Sequence, residues 1–163
     1  MRRTAAILST VVALATAFAG TASAVSTYRW QNQRSFSCLD QDYSGGTAHS
    51  TVLAWTCNSA AENQKWEWEI LSDGTNRFRN ARSGMCLDQD YSGGVPHSTI
   101  LAWPCSATDN QHWRLTRVAD GDFVFQNVRS GSCLDQDYSG GVPHSTVLAW
   151  PCSSVENQHW DYP

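Results

Sequence analysis

The sequence predicts an all-β domain that closes on itself with threefold symmetry, and three observations carry that reading. First, a block beginning Cys-Leu-Asp-Gln-Asp-Tyr-Ser-Gly-Gly starts at Cys38, Cys86 and Cys133. Each block ends on a tryptophan, and Trp66, Trp113 and Trp160 are 47 residues apart. A fixed period of this length marks units that bury their apolar faces only against one another. Second, apolar residues fall in short runs between Gly, Asn and Asp turn signals, and nothing after residue 24 shows helical periodicity. Third, each copy holds about four strand-like runs, roughly twelve in all. Closing them into a barrel removes the unpaired edges that a flat sheet would expose.

Residues 1–24 stand apart from the repeats. Arg2-Arg3, an apolar run from Ala5 to Ala19 and the small residues Ala22-Ser23-Ala24 read as a secretory signal peptide, too short to span a bilayer. The remaining 139 residues match three repeats, at about 25–73, 74–120 and 121–163, and leave no room for a second domain. Without Arg2 and Arg3 the chain has 9 basic and 15 acidic residues, a net charge of −6. That balance disfavours nucleic acid and anionic membranes as partners. A secreted monomer without membrane insertion is expected.

Each copy opens on an aromatic run, Tyr28-Arg29-Trp30, Arg77-Phe78-Arg79 or Phe123-Val124-Phe125. Asp73-Gly74 and Asp120-Gly121 mark hairpins between copies, and Ser-Gly-Gly marks a loop inside each. The six cysteines of a secreted chain imply disulfides. Repeat symmetry reduces the 15 possible connectivities to Cys38–Cys57, Cys86–Cys105 and Cys133–Cys152, or to a cyclic pairing between copies. Zinc is not expected, because no Cys-x-x-Cys occurs.

Strand alternation then builds a site. On a strand, residues two apart share a face. In the third copy Cys133 and Asp135 point one way, Trp150 and Cys152 share a face, and Leu134, Val147 and Ala149 face the core. A Cys133–Cys152 bridge would bring Asp135 beside Trp150. An indole stacks on the C–H face of a pyranose, a carboxylate accepts its hydroxyls, and an asparagine amide both donates and accepts. The candidate carbohydrate-binding sets are therefore Asp135, Trp150 and Asn157; Asp88, Trp103 and Asn110; and Asp40, Trp55 and Asn63.

Gln64-Lys65-Trp66, Gln111-His112-Trp113 and Gln158-His159-Trp160 resemble the threefold Gln-x-Trp signature of ricin B-type lectins, also called family 13 carbohydrate-binding modules. Cys-Leu-Asp, the 19-residue cysteine spacing, Trp-Pro-Cys and Asn-Gln-x-Trp fit as well, and the resemblance spans nearly all of the chain after residue 24. It implies a β-trefoil with one sugar pocket per repeat. It also implies that Gln64, Gln111 and Gln158 steady the aspartates and that the Gln-x-Trp tryptophans are core. Three departures stand out. Leu53, Leu101 and Leu148 occupy a position that is polar in some galactose-binding members. Copy one has Trp55-Thr56-Cys57, and it carries one extra residue before Asn63. That extra residue is expected to shift Asn63 and make copy one the weakest site.

Other readings of these residues are weaker. The Asp-x-Asp loop lacks the bidentate glutamate that a calcium loop needs at its twelfth position, where Thr51, Thr99 and Thr146 stand. No metal or other cofactor is expected. Tyr43, Tyr91 and Tyr138 are candidates for a second pocket wall. His49, His97 and His144 are candidates for ligand contact, and His112 and His159 are expected on the surface. A glycoside hydrolase using Asp135 and Asp137 would need a distinct carboxylate pair, whereas this pair occurs three times. Protease-inhibiting trefoils lack the Gln-x-Trp repeat. The expected function is glycan or polysaccharide binding without catalysis.

Overall fold

The computed structural model describes residues 26–46, 48–118 and 120–163; the signal peptide expected over residues 1–24 lies outside them. Copy one contains β1 (Thr27–Tyr28), β2 (Gln31–Asn32), β3 (Cys38–Gln41), β4 (Val52–Trp55) and β5 (Trp66–Ile70). Copy two contains β6 (Asn76–Asn80), β7 (Cys86–Gln89), β8 (Ile100–Trp103) and β9 (Trp113–Arg117). Copy three contains β10 (Phe123–Asn127), β11 (Cys133–Gln136), β12 (Val147–Trp150) and β13 (Trp160–Asp161). Thirteen strands replace the expected twelve because the first aromatic run is split at Arg29-Trp30. The only helical segments among the described residues are single 3-10 turns of three residues.

The strands pair in the order β1-β5-β6-β9-β10-β13-β2. Since β1 and β2 belong to one run, the path returns to its start and the barrel is closed. The hairpins β3–β4, β7–β8 and β11–β12 extend from it and cap one end. They meet cyclically through Ala54 N–H to Ser145 O, Ala102 N–H to Ser50 O, and Ala149 N–H to Ser98 O, each 2.7 Å. The molecule is a β-trefoil, and Asp73-Gly74 and Asp120-Gly121 turn the β5–β6 and β9–β10 hairpins.

Packing follows the alternation. Leu134, Val147 and Ala149 enter the core, as do their counterparts in the other copies, while Trp150 faces out. Trp66, Trp113 and Trp160 are fully buried, and their indole N–H groups donate to the carbonyls of Leu39, Leu87 and Leu134 at 3.0–3.1 Å. Trp30 meets Phe78 and Phe125 edge-on, with ring centroids 5.6 and 4.7 Å away, an arrangement aromatic quadrupoles favour. All three disulfides lie within a repeat, Cys38–Cys57, Cys86–Cys105 and Cys133–Cys152, so the cyclic alternative does not occur. Phe36 breaks the symmetry. It holds φ 59° where Gly84 and Gly131 hold 73° and 75°, a left-handed conformation that costs a residue with a Cβ about 1–2 kcal/mol.

Candidate functional site

Each cap hairpin places an aspartate at the floor of a surface cavity. Asp40 on β3 lies opposite Leu53, two pairs along the hairpin from Cys38 and Trp55 and so on the same face as they are. Asp88 and Asp135 repeat this register on β7 and β11. The three cavities, of about 550, 440 and 320 Å³ in copies one to three, are lined by the aspartate, the leucine opposite it, the outward tryptophan, the loop tyrosine and the asparagine.

The floor is held from behind. Asn63 Nδ2 donates to Asp40 Oδ1 and to the Gln41 carbonyl, both at 2.9 Å. Gln64 Nε2 donates to Asp40 Oδ2 at 2.8 Å and to the Thr56 carbonyl at 2.9 Å, while its Oε1 accepts from Asn58 N–H. Asn157 and Gln158 hold Asp135 in the same way, whereas Asn110 and Gln111 both donate to Asp88 Oδ2; their second donors go to the corresponding backbone carbonyls in each copy. The Gln-x-Trp and Cys-Leu-Asp segments are thus joined twice, by glutamine to aspartate and by tryptophan to the leucine carbonyl.

This arrangement settles the polarity of the floor. Both N–H groups of each asparagine and glutamine amide are taken up inside the protein. Only acceptors remain toward the cavity: the spare lone pairs of the carboxylate and the asparagine Oδ1. The expectation that asparagine both donates and accepts is corrected, because the carbonyl of the residue after the aspartate consumes its second donor. Burial pushes each floor aspartate above its ordinary pKa. The hydrogen bonds from glutamine and asparagine oppose that rise, and Asp42, Asp90 or Asp137 adds to it by repulsion.

The walls are aromatic. Trp55, Trp103 and Trp150 are 53–56% exposed, well outside the core. Tyr43, Tyr91 and Tyr138 line the same cavities. The loop aspartates close their own turns: Asp42, Asp90 and Asp137 accept the amides of Ser44, Ser92 and Ser139 at 2.8 Å. His49, His97 and His144 keep Nε2 within 2.9–3.0 Å of the Ser44, Ser92 and Ser139 carbonyls, so each ring braces its own loop.

The model of the ricin-type β-trefoil lectin domain-like family matches the chain three times, over residues 17–103, 62–150 and 109–162. The chain belongs to this family. By sequence alone no curated protein matches it. Among solved structures it resembles the designed threefold-symmetric protein ThreeFoil, at 25% identity and TM-score 0.73, covering 82% of this chain and 95% of that one. It also resembles a Macrolepiota procera ricin B-like lectin in complex with lactose, at 21% identity and TM-score 0.67, covering 88% and 99%. An exo-β-1,3-galactanase from Clostridium thermocellum carries a similar fold, at 22% identity and TM-score 0.71; the match covers 83% of this chain and 29% of that enzyme.

Two expectations fail against this lectin-like fold. The extra residue of copy one does not displace Asn63, which donates to its floor aspartate and to the next residue's carbonyl as Asn110 and Asn157 do. A turn closed by Ala60 N–H to Asn58 Oδ1 at 3.0 Å absorbs the residue outside the cavity. His112 is buried rather than exposed; its backbone carbonyl accepts the Val128 amide at 2.9 Å, which ties this position to the turn of the next repeat. Sequence reading also overlooked Arg34, Arg82 and Arg129. Each guanidinium stacks on the loop tyrosine of the preceding copy, over Tyr138, Tyr43 and Tyr91 respectively, at 3.9–4.0 Å from the ring centroid. The signal was present as a threefold Asn-x-Arg-Ser at Asn32, Asn80 and Asn127.

Proposed function

We propose that the protein is a secreted, non-catalytic carbohydrate-binding lectin with up to three equivalent pockets. One observation carries this: in every copy an acceptor-only floor of aspartate and asparagine faces an exposed indole beside a tyrosine. A sugar donates hydroxyls to such a floor while its C–H face lies on the ring. Three intact disulfides support an extracellular address. A single shallow pocket binds weakly, because few contacts must offset the immobilisation of the ligand. Three on one rigid body exceed single-site affinity roughly a hundredfold on a polymer whose geometry lets them engage together. The lactose-bound relative makes galactosides the first ligands to test, beside xylan, arabinan and mannan. The threefold repetition of the site, and the use of Asp137 by the Ser139 amide, favour binding over hydrolysis.

Calorimetry on Trp55→Ala, Trp103→Ala and Trp150→Ala tests the reading. Each change should remove one binding equivalent while leaving thermal stability within about 0.5 kcal/mol, since the rings are exposed. Unchanged stoichiometry and affinity in the triple variant would refute the reading. Affinity should also depend on pH. Sugar hydroxyls bind the ionised floor carboxylate, so the complex lowers its pKa. Binding is then complete above the free protein's raised pKa and declines as pH falls through it, starting above the ordinary aspartate range. Binding that persists unchanged well below that range would exclude the aspartates as acceptors.

A further inference from the structure

The floor offers no donor, yet sugar oxygens also accept. The walls add a tyrosine hydroxyl and an indole N–H, both neutral, and the charged donors come from the next repeat. Arg82 lines the cavity of copy one and Arg129 that of copy two, and Arg34 stacks on Tyr138 of copy three. Among the described residues none of these guanidiniums makes an ion pair or a side-chain hydrogen bond, whereas Arg77 and Arg79 pair with Glu69 and Glu67.

The turns that carry them are fastened to the pockets. Asn80 Nδ2 donates to the Asn63 carbonyl at 2.8 Å, and Ser83 Oγ donates to Gln41 Oε1 at 2.6 Å. Asn127 and Ser130 grip Asn110 and Gln89 in the same way, and Asn32 and Ser35 grip Asn157 and Gln136. Asn32, Asn80 and Asn127 are fully buried, and each also accepts the amides of the arginine and serine in its own turn. A buried asparagine and a half-buried serine in each turn therefore hold an unpaired cation against the tyrosine wall of a neighbouring repeat, three times over.

We infer that each pocket is completed across a repeat boundary by this arginine, which makes the preferred ligand a sugar with hydroxyl donors at one edge and an acceptor-only group, a uronate carboxylate above all, at the other. The inference rests on the pocket reading above. A planar guanidinium already stacked on tyrosine presents its N–H fork with little further ordering, and a carboxylate matches that fork.

The test compares galacturonic and glucuronic acid with their methyl esters, which have nearly the same shape and no charge. The unaltered protein should bind at least one acid roughly fivefold more tightly than its ester, with the preference shrinking as salt rises. The triple variant Arg34→Met, Arg82→Met and Arg129→Met should bring acid and ester to equal affinity; methionine keeps an apolar stem over the tyrosine. The corresponding lysine variant, with the charge but not the fork, should keep part of the preference. Equal affinity for acid and ester in the unaltered protein, or no binding of either acid while neutral glycans bind, overturns the inference and leaves the pockets standing. A preference that survives in the methionine variant overturns it too. Failure to bind any glycan at all would instead defeat the pocket reading itself.

Discussion

Replacing Asp40, Asp88 and Asp135 together by alanine should abolish glycan binding, and each single replacement should remove one site. The carboxylate is the only charged acceptor of the floor, and it also aligns the asparagine whose Oδ1 is the second acceptor. Its loss takes away both the hydroxyl contacts and the group that fixes the amide. Because polymer binding draws on several pockets, the first replacement should weaken it far more than the drop from three sites to two implies. Stability needs a parallel measurement. Alanine leaves two buried amide donors without their acceptor, which costs about 1–3 kcal/mol per site, partly offset by removing a desolvated carboxylate. Thermal unfolding monitored by circular dichroism separates the two effects. A folded triple variant that still holds its glycan at full strength would show that the floor has been misassigned. If the triple variant fails to fold, the singles decide the matter by stoichiometry.

Reduction of the three disulfides should unfold the protein near physiological temperature. Each bridge joins cysteines 19 residues apart and ties the two strands of one cap hairpin. A loop of that length contributes roughly 3 kcal/mol, chiefly by constraining the unfolded chain. Three together approach the total stability of a typical domain. Removing a single bridge, as in Cys86→Ala with Cys105→Ala, should lower Tm by roughly 10 °C without unfolding the protein at room temperature. Scanning calorimetry with and without reductant measures both. A reduced protein that melts within a few degrees of the oxidised one would place the stability in the aromatic core instead. Cys38, Cys86 and Cys133 are buried while Cys105 and Cys152 are exposed, so reductant has access from the outer sulfur.

Much of this molecule was legible in the chain because the repeat supplies its own alignment. The 47-residue spacing of Trp66, Trp113 and Trp160 identified the trefoil's unit, and the alternation along Val147 to Trp150 separated core from cavity. Those features are local: an extended strand alternates its faces whatever lies beyond it. The remainder depended on contacts between segments distant in sequence. Intra-repeat and cyclic disulfides satisfy the symmetry equally, and only the hairpin register that sets Cys38 opposite Trp55 chooses between them. The asparagines lost their donors to a backbone carbonyl about 22 residues away, which residue type alone cannot reveal. The extra residue of copy one was absorbed by an outward turn, since a loop relaxes where it meets solvent rather than where it is bonded. The arginines reached their tyrosines across repeat boundaries, Arg34 from the first repeat of the chain and Tyr138 from the third. Sequence fixes what each repeat can bury; closure of the barrel decides which repeat supplies its neighbour's pocket, because only closure brings the first repeat against the third.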